Sequence, residues 1–67
     1  MKTYGERIDD EIAEFEKRYD MAGALRDHAE LHEKDAFNEI RGTTRKLITA
    51  LQWLKKSVPA KRLNENI

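Results

Sequence analysis

The sequence predicts an all-α fold in which two long helices form an antiparallel hairpin. From position 37 to 58, large apolar and methyl-bearing residues alternate at steps of three and four, the spacing of a helix that lies along another helix. A second apolar stripe with helical period runs through the first part of the chain. The halves also carry opposite charge, with six basic and eleven acidic residues in 1–36 against seven basic and two acidic residues in 37–67.

Composition narrows the ways in which such a chain can be stabilised. A chain of 67 residues is expected to form one domain, and short chains bury a small share of their surface. It has no cysteine for a disulfide and only two histidines for a metal site, so oligomerisation is the expected source of added stability. No apolar run is long enough for a membrane span or a signal peptide, and we expect a cytoplasmic location.

The first helix is predicted over residues 4–31. Thr3 and Glu6 have the spacing of a capping box, in which each side chain accepts a hydrogen bond from the backbone amide of the other residue. Acidic residues follow in the first turns, where the helix dipole favours them. The apolar stripe of this helix consists of Tyr4, Ile8, Ile12, Phe15, Tyr19, Ala22, Leu25 and Ala29.

The chain reversal has two candidate positions, Gly23 and the polar stretch 32–35. With the later turn, apolar positions of the two helices face each other, as for Ile8 and Val58 or Phe15 and Leu51. A turn at Gly23 would leave the repeat at 37–58 without a partner in the same chain. We therefore favour a turn at residues 32–35, with Asp35 as the N-cap of the second helix.

The second helix is predicted over residues 36–57, because Pro59 disfavours helical geometry at the preceding residue. Gly42 is a possible kink within it, and residues 58–67 are predicted to be a frayed tail, unless Leu63 and Ile67 dock. The apolar repeat of this helix consists of Phe37, Ile40, Thr44, Leu47, Leu51, Leu54 and Val58.

A lone hairpin leaves several large apolar side chains uncovered. We expect two copies to pack as a homodimeric four-helix bundle, which would cover these positions. The side chains expected to gain cover in this way are Met21, Leu31, Ile48 and Trp53.

Trp53 lies off the apolar repeat with cations within one or two helical turns, a combination typical of binding hot spots. The residues predicted to bind a partner protein are Trp53, Lys46, Lys56 and Arg45. The alternative is that Trp53 packs in the dimer interface, on the first helix of the second copy. A further alternative is that the basic face of the second helix binds RNA or DNA. The residues predicted for that alternative are Arg41, Arg45, Lys46, Lys55 and Lys56.

His28 and His32 would share one helix face at a spacing that can ligate zinc. Their order is not the His-Glu-x-x-His of zinc proteases, and no second ligand cluster occurs in the chain, so we expect no metal and no cofactor. No catalytic motif is present either. The sequence thus predicts a non-enzymatic adaptor or regulator that acts as a homodimer through protein–protein interaction, of the kind often encoded by phages and other mobile elements.

Overall fold

The computed structural model describes residues 1–67, and the predicted all-α hairpin is confirmed. Helix α1 spans Tyr4–His28, α2 spans Leu31–Ser57, and a single turn, α3, spans Ala60–Leu63. The two long helices pack against each other in an elongated molecule of 48 × 22 × 12 Å. Neither long helix has an apolar stretch of the length needed to cross a membrane.

Helix α1 begins with the predicted capping box. The Thr3 amide donates to Glu6 Oε1 at 2.9 Å, and the Glu6 amide donates to Thr3 Oγ1 at 3.2 Å. These bonds satisfy two amides that have no partner within the helix. The hydrogen bond from the Thr3 amide also favours the ionised carboxylate, and it lowers the pKa of Glu6 below its ordinary value.

The chain reverses at Ala29 and Glu30, which corrects the predicted turn at residues 32–35. Both residues adopt extended backbone conformations with negative φ, so the turn requires no glycine. Glu30, and not Asp35, is the N-cap of α2, and its amide donates to Glu33 Oε1 at 3.1 Å. Glutamate is an uncommon N-cap, which is why the sequence pattern favoured Asp35. Gly23 lies inside α1, so the alternative reversal at that residue is wrong.

Two polar contacts between the helices are offset by three residues from the predicted register. Lys55 Nζ lies 2.6 Å from Asp9 Oδ1, and Arg26 Nη1 donates to Asn38 Oδ1 at 3.0 Å. In the predicted register, position 9 would face position 58. Ile40 and Leu47, two residues of the apolar repeat of α2, lie to one side of the contact with α1 and remain 48% and 43% exposed.

The core is small and has no fully buried side chain. Ile8 and Ala22 are its only buried apolar residues. Thr44 is buried as well, and its hydroxyl donates to the carbonyl oxygen of Ile40 at 2.7 Å. A domain stabilised by its own core would bury more side chains than this.

A neighbouring side chain explains why a small residue occurs at position 23. The Arg41 guanidinium stacks on the Tyr19 ring at 4.0 Å, and a Cβ atom on Gly23 would lie 3.3 Å from its Cζ. The glycine therefore makes room for an arginine side chain from α2. At Gly42, by contrast, an added Cβ would meet nothing within 4 Å, and α2 continues through this residue as one helix.

Residues 60–67 dock on the start of α1, so the predicted frayed tail is wrong and the alternative that Leu63 docks is confirmed. The Tyr4 amide donates to the Glu65 carbonyl at 2.7 Å, and Thr3 and Asn66 form an antiparallel β-bridge. A Cβ on Gly5 would lie 3.2 Å from the carbonyl oxygen of Leu63, so glycine permits this close approach. The tail thereby covers one end of the hairpin.

Candidate interaction surfaces

One side of the hairpin carries four of the eight large apolar side chains that are exposed. Near the turn it forms a groove between α1 and α2 that includes Met21, Leu25 and Ile40. Towards the other end, a second groove includes Phe15 and Leu47. We call this side the apolar face. It comprises Phe15, Met21, Leu25, Phe37, Ile40, Leu47, Ala50, Leu51 and Leu54.

The apolar face is accessible to solvent along its length. Met21 is 64% exposed and Leu25 is 49% exposed, and both lie on α1 near the turn. Ile40 and Leu47 are exposed to a similar degree and continue the face along α2. Because they are seven residues apart, they lie on one line of the helix. The face is thus continuous, and no segment of the chain covers it.

The opposite side of the hairpin is polar. Its groove places Glu16 and Asp20 of α1 close to Arg45 of α2, around the half-buried side chains of Tyr19 and Ile48. Ile48, which was expected to gain cover in a dimer, therefore lies away from the apolar face. The two sides differ in chemistry, and only the apolar face resembles the buried centre of an interface.

The predicted partner-binding residues do not form one patch. Trp53, 67% exposed, borders the groove that contains Phe15 and Leu47. Lys46 is exposed two turns earlier on the same outward line of α2. Arg45 lies in the polar groove, and Lys56 lines a separate groove near the end of the hairpin.

The basic residues considered for nucleic-acid binding are likewise divided. Arg41 is half-buried on Tyr19, and Lys55 is paired with Asp9. Arg45, Lys46 and Lys56 are exposed and form no ion pair. Two of the five cations are therefore held against α1.

His28 and His32 lie on different helices, because the chain turns between them. The shared helix face expected from their spacing therefore does not exist. No group of three or more histidine or acidic side chains is close enough to hold a metal ion.

The apolar repeat assigns Ile40 and Leu47 to the contact between α1 and α2, and it does not reveal their part in the exposed face. The earlier turn has a signal in the Glu30-x-x-Glu33 spacing, which permits a capping box. No local signal indicates that Ile40 and Leu47 lie to one side of the seam.

Comparison with known proteins gives no match: no family model fits the chain, and no curated protein or solved structure shows significant similarity to it.

Proposed function

We propose that this chain is a non-enzymatic binding protein that dimerises through its apolar face into a four-helix bundle and acts as an adaptor or regulator. The single observation that carries the proposal is the continuous exposed apolar face on a molecule with only two buried apolar residues. Burying such a face in a second copy removes apolar surface from water and adds the core that each hairpin lacks.

The exposed area supports assembly. The chain exposes 5302 Å², whereas a folded monomer of 7.9 kDa exposes about 4,400 Å² on average. The excess of about 900 Å² is close to the area of about 800 Å² that each partner buries in a standard protein–protein interface. Burying one interface of ordinary size would reduce the exposed area of each copy to about the average for its mass.

In this proposal, the partner protein binds the outward side of α2. Trp53 supplies a large exposed ring, and Lys46 supplies a cation on the same line of the helix. An exposed tryptophan flanked by a cation is typical of interaction hot spots. The net charge of zero, and the contacts of Arg41 and Lys55 with α1, favour a protein over a nucleic acid as the partner.

Light scattering on two charge-introducing variants tests the dimer. We expect about twice the chain mass of 7.9 kDa for the natural sequence. Leu47→Glu should give the monomer mass, because it places a charge in the centre of the apolar face. Lys46→Glu, at the neighbouring outward position, is the matched control and should remain dimeric. A monomer mass for the natural sequence, or a dimeric Leu47→Glu variant, would overturn the proposal.

A further inference from the structure

Small and large side chains alternate along α2, on a line that joins residues of the apolar face to Ala36 and Thr43 beside it. Small residues recur at every seventh position from Ala36, and large ones at every seventh position from Ile40. Five of the six are exposed, and only Leu54 is half-buried. We call this set the small–large line. It consists of Ala36, Ile40, Thr43, Leu47, Ala50 and Leu54.

We propose that the small–large line is the centre of the dimer interface, and that α2 packs antiparallel on α2 of the second copy about a two-fold axis level with Arg45. The proposal rests on the dimer proposed above and specifies its arrangement. About this axis Ala36 faces the partner's Leu54, Ile40 faces the partner's Ala50, and Thr43 faces the partner's Leu47. Every layer then sets one small side chain against one large side chain.

The alternation of small and large residues favours a second copy whose α2 packs antiparallel on α2. Cores reach native packing density when large and small residues face each other, so that layers interdigitate without voids. A parallel, in-register pairing of two α2 helices would set Ile40 against Ile40 and Ala50 against Ala50. It would therefore alternate crowded layers with empty ones. The antiparallel two-fold pairing removes both defects, and the same surface serves both copies.

The charges on α1 argue against the other two-fold arrangement. An axis parallel to the helices would place α2 on the partner's α1. Glu11 borders the groove that holds Leu47 and Leu54, and Glu14 and Arg18 border the groove nearer the turn. Among these side chains only Glu14 has an ion-pair partner, Lys17 on its own helix, so Glu11 and Arg18 would lose water against the large residues of α2 without one. With the axis across the helices, α2 packs on α2, and these charges face the partner's α1 instead.

A size-swap experiment tests the packing. Ala50→Leu adds apolar surface, so an unspecific apolar patch would associate more tightly. In the proposed interface the added side chain meets the partner's Ile40, and we expect the dimer dissociation constant to rise at least tenfold. Adding Ile40→Ala in the same chain exchanges the large and small members of this layer, and should restore most of the lost affinity. Tighter association of Ala50→Leu, or no recovery in the double variant, would overturn the proposed packing.

Distances between spin labels test the orientation independently. The chain has no cysteine, so Lys46→Cys and Lys56→Cys each carry one label per copy. At a rise of 1.5 Å per residue, the two labels are offset along the helix by about 3 Å at position 46 and by about 33 Å at position 56. Similar distances at both positions in a dimeric protein would overturn the antiparallel arrangement while leaving the dimer intact. A monomer mass for the unlabelled protein would instead overturn the proposed function itself.

Discussion

At the scale of single residues, the three glycines show how differently one residue type can be used. Gly5 allows Leu63 to approach the backbone of α1, and Gly23 allows Arg41 to stack on Tyr19. Gly42 has no neighbour that requires its small size. The sequence alone does not distinguish them, because the neighbours of Gly5 and Gly23 come from distant positions in the chain.

The glycines give a matched pair of substitutions. Gly42→Ala should raise the free energy of unfolding by about 0.5–1 kcal/mol, because alanine is the better helix former and its Cβ meets open space. Gly5→Ala should lower it, because the same methyl group would press on the Leu63 carbonyl at 3.2 Å. Urea denaturation measures both changes. An equal gain in stability at both positions would show that the tail does not press on Gly5.

The capping box gives a prediction of pH dependence. The pKa of Glu6 is lowered in the folded chain by its hydrogen bond from Thr3, so ionised Glu6 stabilises the fold above its ordinary pKa of 4.5. This contribution is lost as the pH falls through the lowered pKa. Glu6→Gln should therefore be less stable than the natural sequence at pH 7, with a gap that narrows as the solution is acidified below pH 4.5. Thermal unfolding across this range measures the gap, and a gap independent of pH would contradict the role given to the carboxylate.

At the scale of elements, the sequence predicts both long helices and the start of α1, because apolar periodicity and the Thr3–Glu6 capping box are local signals. It misplaces the reversal, because Glu30 is not a favoured N-cap residue. It gives the docked tail only as the alternative to a frayed one, because the contacts of the tail join the two ends of the chain. Contacts between residues far apart in sequence leave no periodic pattern to detect.

Leu63 tests the contribution of the docked tail. It is half-buried against Gly5, so Leu63→Ala should lower the free energy of unfolding by about 1–2 kcal/mol. Leu31 is 83% exposed and provides the control, since Leu31→Ala should change stability by less than about 0.5 kcal/mol. Equal effects of the two substitutions would mean that the tail does not stabilise the hairpin.

At the scale of the whole molecule, the hairpin is elongated and exposes more surface than its mass predicts. Part of the candidate site follows from the sequence, since the isolated Trp53 and the apolar repeat of α2 are both visible there. Which residues of the repeat face α1 depends on how α2 is rotated about its own axis, and the spacing of the repeat does not fix that rotation. Ile40 and Leu47, which the repeat assigns to the seam, are 48% and 43% exposed.

The most direct test of the proposed dimer is the melting temperature of the natural sequence at two protein concentrations a hundredfold apart. If folding is completed by association, mass action stabilises the more concentrated sample by about 2.7 kcal/mol per dimer, which corresponds to a rise of about 5–10 °C. We expect such a rise. A melting temperature that is the same at both concentrations would show that the hairpin folds alone with its apolar face exposed, and would contradict the proposal that a second copy covers it.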